Sequence, residues 1–380
     1  MTIAQGDHVI DFGNGQPSLS LLPVRMLQTA TDHFLSAGDA TLLQYGTDQG
    51  DAAFRDALAA FLRRRYAASV DAAQLMVSGS ASQGLDLICA RFTRPGDTIF
   101  VEAPTYFLAL KVFRDHGLQV VGIPIDEQGI RIDALRDALV RHRAALLYTI
   151  PAFQNPSGTT MSAERRAQLL ALCREHDLLV VADEVYQLLD FGHAPPPPLA
   201  AHVDSARVLS LGSFSKICAP GLRLGWVHGA KPLLETLMHA GLVQSGGGFN
   251  PFVSGVMRRM LALGLADECL DGLRRVYTER SAVLCHALRR DLPGATFVEP
   301  QGGYFVWLRL PDGTTASALA ANAAAEGVNF HAGTRFVQGD GFTDFVRLSF
   351  AHYDVTDLEE GVRRLARACY RTRTMAPTGV

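Results

Sequence analysis

The sequence predicts an α/β fold in which a mostly parallel sheet carries helices on both faces, together with a smaller α+β domain. Short apolar runs alternate with amphipathic helical segments through most of the chain, and small or polar residues follow several of those runs. Toward the C terminus the pattern changes to strand-like runs separated by fewer helices. We therefore place a large domain at residues 40–285 and a small domain at residues 1–39 and 286–380.

The first part of the chain contains a short strand and loop within residues 7–23. Residues 24–37 and 51–66 then predict helices, the second of them capped by Asp51. Strands and helices alternate from there as far as Asp183. The predicted strands are 75–77, 98–101, 120–123, 145–150 and 178–182, and the predicted helices are 83–92, 108–116 and 164–176. Such alternation is typical of a parallel sheet covered on both faces.

The remaining segments predict the smaller domain. A long amphipathic helix is expected at residues 267–290, and strands are expected at 296–310, 328–331 and 345–350. We expect these strands and the N-terminal strand near Val9 to form one compact α+β unit.

The composition argues against several functional classes. The 380 residues are 48% hydrophobic and 19% charged, with a formal net charge of -3. This balance predicts no basic surface for nucleic acid or for an anionic membrane. No stretch is long and apolar enough for a membrane span, and the opening residues MTIAQGDHVIDF lack the basic head and apolar core of a secretory signal. We expect no nucleic-acid partner, no membrane association and a cytoplasmic location.

The cysteines are scattered and form no C-x-x-C pair, which argues against a zinc knuckle or a disulfide framework. We expect buried, reduced thiols in an intracellular protein, and no metal site. The six are Cys89, Cys173, Cys218, Cys269, Cys285 and Cys369.

Residues 209–226, LSLGSFSKICAPGLRLGW, place a lysine in an unusual setting. Lys216 follows a buried strand and the hydroxyl residues Ser213 and Ser215, and Arg223 comes seven residues later. A lysine in apolar surroundings is suited to condense with a carbonyl, and the hydroxyls and the arginine are suited to hold an anion. The alternative is an exposed lysine in a Ser/Gly loop, and the remainder of the chain argues against it.

Small and polar residues also follow other predicted strands, at the edge where open α/β sheets bind ligands. Ala81, Ser82 and Gln83 lie between a strand and a helix, where free N–H groups and the helix dipole favour a phosphate. Asp183 ends an apolar strand, where a carboxylate is costly unless it has a cationic partner such as a protonated ring nitrogen. Each feature also has an ordinary explanation, namely a turn without a ligand or a helix cap.

Three further residues complete a candidate set. Asn155, in FQNPSG, and Tyr186, three residues after Asp183, can donate hydrogen bonds to a phenolic oxygen, and Tyr106 can stack on a flat ring. Taken singly, Asn155 could open a turn before proline and Tyr106 could belong to the core. Taken with Lys216, the set specifies a flat pyridinium that carries a phenolate, a phosphate and an aldehyde. That ligand is pyridoxal phosphate.

The chain resembles the fold-type I pyridoxal-phosphate-dependent aminotransferases of the class I/II group. The resemblance runs through nearly the whole chain in the family's order. The segments that carry it are QYGTDQG, GSASQGLDL, EAPTYF, FQNPSG, DEVY, GSFSKICAPGLRLGW, QGGYFVWL and VRLSFA. The closest branch is the 2-aminoadipate/kynurenine type, with the aminotransferase-like domains of some bacterial regulators. The resemblance implies that the amino group of an L-amino acid is moved to a 2-oxo acid.

The resemblance also implies roles for individual residues. Lys216 forms the internal aldimine, Asp183 pairs with the pyridine nitrogen and Tyr106 stacks on the ring, and these three are the implied catalytic residues. The implied cofactor contacts are Ala81, Ser82, Gln83, Tyr106, Asn155, Asp183, Tyr186, Ser213, Ser215, Lys216, Arg223 and, from the neighbouring subunit of a homodimer, Tyr45. The implied substrate contacts are Arg347, Asn155, Gly15 and Tyr45. Arg347 would hold the α-carboxylate through its bidentate fork.

One feature departs from the aminoadipate-type pattern. Those relatives carry a helical segment with a basic residue before the first strand, and because that strand is predicted near Val9, we expect no counterpart of the segment here. Arg25 and Arg335 could take the place of the basic residue, although surface positions are the simpler expectation for both.

The cofactor-holding residues do not by themselves select one reaction. The same cofactor supports racemisation, elimination or replacement, cyclisation and oxidation, and these outcomes stay open beside transamination. A ligand-sensing domain without catalysis is disfavoured because the whole reactive set is present. A nicotinamide oxidoreductase is disfavoured because no G-x-G-x-x-G follows a strand.

Overall fold

A computed structural model describes residues 9–375 of the chain. The first eight residues and the last five lie outside the described part. The outer ends of the predicted small domain fall there, as does most of the opening segment MTIAQGDHVIDF. No helix of residues 9–375 is long and apolar enough to cross a bilayer.

The strands and helices follow one another much as the alternating pattern predicts. The strands are β1 (Ile10–Asp11), β2 (Leu75–Ser78), β3 (Thr98–Ala103), β4 (Gln119–Asp126), β5 (Gly129–Ile130), β6 (Ala144–Thr149), β7 (Leu179–Asp183), β8 (Val208–Ser213), β9 (Gly225–Gly229), β10 (Phe305–Arg309), β11 (Val328–Asn329), β12 (His331–Ala332) and β13 (Phe345–Ser349). The helices are α1 (Val24–Ser36), α2 (Ala52–Tyr66), α3 (Ala81–Phe92), α4 (Phe107–Asp115), α5 (Ile132–Arg141), α6 (Ala163–Glu175), α7 (Phe214–Ile217), α8 (Lys231–Met238), α9 (Gly241–Gly246), α10 (Pro251–Ala262), α11 (Leu265–Asp291), α12 (Ala316–Ala325) and α13 (Val355–Met375).

The central sheet has eight strands in the order β2-β9-β8-β7-β6-β3-β4-β5. The five strands from β8 to β4 are parallel to their neighbours, whereas β9 and the edge strand β5 run antiparallel. The expected mostly parallel sheet is therefore confirmed.

Both faces of this sheet are covered because its strands are apolar on both sides. Successive residues of β7 point to opposite faces: Val181 packs in the same cluster as Phe113 of α4, and Val180 packs with Leu169 of α6. This two-sided burial explains why the central strands read as continuous apolar runs rather than as alternating ones.

The C-terminal part forms smaller sheets. Strand β13 lies between β10 and β12, antiparallel to both. The N-terminal strand β1 pairs in parallel with β11, with Ile10 opposite Val328. This pairing joins the two ends of the chain, as the sequence predicts. The boundaries proposed for the two domains stay a prediction.

Two predicted strands differ from the structure. The strand expected over 296–310 is wrong, because only Phe305–Arg309 is a strand and Thr296 contributes an isolated bridge to Arg309. Gly303 interrupts the run: it has φ +74°, and a Cβ on it would lie 2.9 Å from Cβ of Phe153. The strand expected over 328–331 is divided into β11 and β12, which belong to different sheets.

One predicted helix also starts earlier than expected. Helix α3 begins at Ala81, two residues before the predicted start, because Ser80 caps it. The Ser80 hydroxyl accepts a hydrogen bond from the backbone N–H of Gln83 at 3.1 Å. Ala81 and Ser82 therefore belong to the first turn of the helix rather than to the turn before it.

Candidate active site

A cavity of about 810 Å³ opens where the parallel strands of the central sheet end. Twelve of the predicted site residues line it. They are Gly15, Ala81, Ser82, Tyr106, Asn155, Asp183, Tyr186, Ser213, Ser215, Lys216, Arg223 and Arg347. The fold thus brings together residues that lie far apart in the sequence.

Lys216 lies on the four-residue helix α7, directly after strand β8. Its Nζ donates a hydrogen bond to the carbonyl oxygen of Gly15 at 2.9 Å. Burial lowers the pKa of the Lys216 amine to about 8, with the positive charge of Arg347 acting in the same direction and the negative charge of Asp183 opposing the shift. The lysine is not exposed in a loop. Its amine is in part neutral near neutral pH, as a carbonyl-attacking amine must be.

Asp183 ends strand β7 and is buried. The Tyr148 hydroxyl donates a hydrogen bond to its Oδ2 at 2.7 Å, while Oδ1 is buried without a hydrogen-bond partner in the described part of the chain. Burial raises the pKa of this carboxyl, and the Tyr148 hydroxyl, the backbone N–H of Val185 and the charge of Lys216 oppose the rise. A cation placed against Oδ1 would satisfy an oxygen that is costly to leave unpaired.

Hydroxyl groups also line the cavity. The Ser213 hydroxyl donates to the Ser215 hydroxyl at 3.0 Å, and the backbone N–H of Ser215 donates to the Ser213 oxygen at 3.1 Å. Arg223 is exposed on the cavity rim, in the left-handed backbone region at φ +47°. Ser82 faces the same space from the first turn of α3, whose N–H groups and dipole favour an anion.

Strand β9 passes so close to strand β8 and the start of helix α3 that Gly225 has no room for a side chain. A Cβ on Gly225 would lie 2.6 Å from the carbonyl oxygen of Gly212 and 3.1 Å from the backbone nitrogen of Ala81. Glycine at this position therefore lets strand β9 pass close to the start of α3.

Arg347 is buried on strand β13, although an arginine on an alternating strand could equally have faced solvent. Nη1 of the guanidinium donates to Oδ1 of Asn155 at 3.0 Å, and Nη2 donates to the carbonyl oxygen of Gly13 at 2.8 Å. The guanidinium carbon lies 4.0 Å from the ring centroid of Phe305. Burial lowers the pKa of Arg347 to about 10. The group is thus held in one orientation before any ligand arrives.

Two tyrosines stand on the cavity wall. Tyr106 immediately precedes helix α4, and burial raises its pKa to about 12. Tyr186 is buried, and its ring packs edge-on against Tyr304 at a centroid distance of 5.4 Å and Phe305 at 6.0 Å. Burial raises the pKa of Tyr186 as well, so both hydroxyls stay protonated and can donate.

Two predicted residues do not line the cavity. The backbone N–H of Gln83 is taken up by the Ser80 cap, and its side-chain oxygen accepts from the backbone N–H of Gly79 at 3.0 Å. Tyr45 is 77% exposed and is absent from the cavity lining of this single chain. The roles predicted for both residues stay predictions.

Several residues of the site were missed by sequence reasoning. Ser80 could have been found, since S-x-x-Q before an apolar segment is a helix-start pattern. Tyr148 lies in an apolar strand, where nothing separates it from core residues, and Tyr304 lies in the segment QGGYFVWL but was given no role. Phe107 lies in the segment EAPTYF but was given no role, and His331 lines the cavity without belonging to any of the family segments.

A half-buried lysine amine, a buried carboxylate with one unpaired oxygen, two serine hydroxyls and a rim arginine share one cavity. Together they define a site for a cofactor that has an aldehyde, a protonated ring and a phosphate. This class of site belongs to the pyridoxal-phosphate-dependent enzymes.

Known proteins with the same class of site match the chain over almost its whole length. The family model "Aminotransferase class I and II" matches residues 7–365. The aromatic-amino-acid aminotransferase 1 of Thermococcus litoralis is 33% identical over 372 residues, covering 96% of this chain and 89% of that protein.

Solved structures of similar proteins agree in fold. A multiple substrate aminotransferase from Thermococcus profundus superimposes with a TM-score of 0.91 at 32% identity, covering 98% of this chain and 96% of that one. LysN, an α-aminoadipate aminotransferase of Thermus thermophilus crystallised with N-(5'-phosphopyridoxyl)-L-leucine, superimposes with a TM-score of 0.88 at 33% identity, covering 97% and 94%.

The chain belongs to the class I and II aminotransferases. It is an enzyme that transfers amino groups, and its cofactor is pyridoxal phosphate. The family resemblance found in the sequence is confirmed, and transamination is supported over the other outcomes of this cofactor. Among residues 9–375 no group of three or more His, Cys, Asp or Glu could hold a metal ion.

Proposed function

We propose that Lys216, Asp183 and Arg347 carry out the transfer of an amino group from an L-amino acid to a 2-oxo acid. The observation that carries the proposal is that a half-buried lysine amine, a buried unpaired carboxylate oxygen and a buried guanidinium line one cavity. Each of the three is costly to bury alone, which favours a ligand that pairs with all of them.

Pyridoxal phosphate fits the groups around this cavity. Its protonated ring nitrogen would pair with Oδ1 of Asp183, and its phenolic oxygen would accept from Asn155 and Tyr186. Its phosphate would lie against Ser213 and Ser215, near Arg223 on the rim and the start of helix α3. We further assign the stacking position to Tyr106, which stands on the cavity wall.

Lys216 would act through its amine in two ways. Pyridoxal phosphate, when bound, supplies an aldehyde that receives the amino group and a ring that withdraws electrons. Because the pKa of the Lys216 amine is near 8, neutral Nζ is available to attach the cofactor. Once released, the same nitrogen can accept the α-proton of the substrate and donate it back during the transfer. Its contact with Gly15 limits the directions in which the free amine can point.

Arg347 would bind the α-carboxylate of the substrate. Its guanidinium is already held by Asn155, Gly13 and the face of Phe305, so little side-chain entropy is lost on binding. Its Nε is buried without a partner in the described residues, which leaves a donor that a carboxylate can satisfy. A Cβ on Gly15 would lie 3.1 Å from the ring of Phe305 and 3.7 Å from this guanidinium, so Gly15 lets the main chain pass close to both groups.

We infer that the substrates include L-amino acids with large apolar or aromatic side chains. Rings of Tyr106, Phe107, Phe305 and His331 line the cavity beside Arg347. Burial and the charges of Arg347 and Arg335 lower the pKa of His331 to about 4, so this ring stays neutral. The name of the Thermococcus litoralis relative and the leucine adduct of LysN support the same inference.

We further propose that the enzyme is a homodimer whose sites are completed by Tyr45 of the neighbouring subunit. Leu43, Tyr45, Leu242 and Phe252 expose 65%, 77%, 64% and 41% of their surface. The segments that carry them touch, since a Cβ on Gly46 would lie 2.8 Å from the carbonyl oxygen of Gly247. Apolar side chains that are exposed side by side are typical of an interaction surface, and a second copy would cover them.

This apolar patch also connects with the cavity. The side-chain amide of Asn250, which precedes helix α10, donates a hydrogen bond to the carbonyl oxygen of Arg223 on the rim. A subunit docked on the patch would therefore lie close to the phosphate end of the site.

We also propose a cytoplasmic location and the two-domain division at residues 40–285. The six cysteines are free and buried, as expected of a protein from a reducing compartment. Strand β1 pairs with β11 of the C-terminal part, which supports assigning the N-terminal segment to the small domain.

An assay with three lysine variants tests the proposal. The chain contains three lysines, Lys111, Lys216 and Lys231, and the first and the last are exposed. Lys216→Ala should lose formation of a 2-oxo acid from an amino donor, whereas Lys111→Ala and Lys231→Ala should keep it. Retention of full transamination by Lys216→Ala would contradict the proposed role.

A further inference from the structure

A pair of buried tyrosines stands behind Lys216, and neither has a role in the scheme proposed for the site. Tyr304 and Tyr277 are 1% and 0% exposed. The Tyr304 hydroxyl donates a hydrogen bond to the backbone carbonyl oxygen of Lys216 at 3.0 Å. The Tyr277 hydroxyl, from helix α11, donates to the Tyr304 oxygen at 3.4 Å. The two hydroxyls therefore form a chain that ends on the main chain of the lysine.

The main chain of Lys216 needs support from outside its own helix. Helix α7 has only four residues, and a helix of one turn has almost no stability of its own. Its position must come from tertiary contacts such as the bond from Tyr304. Because Tyr304 directly precedes strand β10, this bond fixes α7 against the small antiparallel sheet.

The ring of Tyr304 makes a separate contact with the side chain of Lys216. Nζ lies 5.1 Å from the ring centroid, within the distance at which a cation is attracted to an aromatic face. The same ring packs edge-on against Tyr186 at 5.4 Å. The amine thus lies close to the Tyr304 ring while its hydrogen bond runs to Gly15.

We propose that Tyr304 is a positioning residue for Lys216, holding the main chain through its hydroxyl and the amine through its ring. The inference rests on the proposed role of Lys216. An ordinary core tyrosine would fill the same space but would influence Lys216 only through overall stability. The two explanations therefore differ in what happens to the lysine when the hydroxyl and the ring are removed in turn.

The test measures how fast pyridoxal phosphate attaches to Lys216 in the cofactor-free protein, from the rise of visible absorbance across a pH series. Tyr304→Phe removes the hydroxyl and keeps the ring. It should slow attachment about tenfold, in keeping with one lost hydrogen bond. It should leave the midpoint of the pH dependence unchanged.

Removal of the Tyr304 ring should affect the pH dependence of attachment as well as its rate. Tyr304→Leu should also move the midpoint to lower pH, because the ring no longer favours the charged amine. Tyr277→Phe is the matched control: it removes a hydroxyl from the same cluster, and the hydrogen bond of that hydroxyl runs to Tyr304 instead of Lys216. It should keep both rate and midpoint near those of the unmodified protein.

Steady-state kinetics supply a further readout. In loaded enzyme, Tyr304→Phe should lower kcat while the KM for the amino donor stays unchanged, since the Arg347 contacts remain. Attachment by Tyr304→Phe at the unmodified rate, or an equal slowing by Tyr277→Phe, would overturn the role of Tyr304. If instead Lys216→Ala kept the cofactor absorbance, the proposed function itself would fail, so the two failures can be told apart.

Discussion

The hydroxyl of Tyr148 donates a hydrogen bond to Oδ2 of Asp183 at 2.7 Å, and both groups are buried at the edge of the central sheet. Tyr148 is on strand β6 and Asp183 ends the adjacent strand β7. The bond therefore holds the carboxylate in place, because both residues belong to adjacent strands of the same sheet. With Oδ2 occupied, Oδ1 is the oxygen left free to meet a cationic ring nitrogen.

Removal of the hydrogen bond between Tyr148 and Asp183 should lower kcat while the protein stays folded. In Tyr148→Phe, Oδ2 of Asp183 loses a donor that lowers the pKa of the carboxyl, so this pKa should rise further. Asp183 would then hold a proton on a ring nitrogen less well. A hydrogen bond to a charged group contributes about 1.5–3 kcal/mol, so kcat should fall between about tenfold and a hundredfold. Tyr277→Phe, another buried tyrosine, is the control, and equal activity in both variants would contradict the role of Tyr148.

Two variants of Arg347 test whether its charge or its planar shape matters more for binding the α-carboxylate of the substrate. Arg347→Lys keeps the positive charge but loses the planar fork, so the KM for amino donors should rise about a hundredfold. Arg347→Leu should raise it further. An unchanged KM in either variant would rule out carboxylate binding by Arg347.

The same pair of variants tests the electrostatic coupling between Arg347 and Lys216. The charge of Arg347 lowers the pKa of the Lys216 amine. Its removal in Arg347→Leu should move the pH midpoint of cofactor attachment upward, and Arg347→Lys should move it less. A midpoint that stayed in place in Arg347→Leu would show that the two cations do not interact.

Cofactor attachment to the unmodified protein should follow the neutral amine. The pKa of Lys216 lies near 8 instead of its ordinary 10.5, and the neutral form attacks the aldehyde. Below pH 8 the neutral fraction falls about tenfold per pH unit, so the attachment rate should fall in proportion, and above pH 8 it should level off. Stopped-flow absorbance measures this directly. A rate still rising steeply between pH 9 and 10 would show an amine that burial does not perturb.

The apolar patch around Tyr45 should be needed for the protein to form a homodimer. Leu242→Glu puts a charge on the patch and should shift the protein toward the monomer in sedimentation velocity, with weaker cofactor retention if Tyr45 of a second subunit contacts the phosphate. Val140→Glu is the control, since Val140 is 82% exposed on α5, outside the patch. A monomeric unmodified protein with full activity would remove the shared site.

The site residues that could be predicted from the sequence are mainly charged residues next to apolar strands. Asp183 and Lys216 stand out because charged residues end or follow apolar strands, and Asn155 stands beside them in a recognisable family segment. The order of strands and helices was likewise predictable, since two-sided burial makes each central strand a continuous apolar run.

Other features of the site and of the fold were not predicted, because they depend on contacts and backbone angles of the folded chain. The roles of Tyr148 and Tyr304 could not be predicted, because the partners of their hydroxyls, Asp183 and Lys216, lie on distant segments of the chain. The side chain of Gln83 turns back to Gly79 because Ser80 starts the helix earlier than the apolar pattern suggests. The strand expected from Thr296 fails because the backbone of Gly303 has a positive φ.

The central claim is that Lys216 attaches the cofactor, and chemical mapping tests it most directly. The loaded enzyme is reduced with borohydride, digested and analysed by mass spectrometry for the phosphopyridoxyl group. With three lysines in the chain, the assignment is unambiguous. The expected result is a label on Lys216, with Lys111 and Lys231 unmodified. A label on either of those lysines while Lys216 stayed free would contradict the claim.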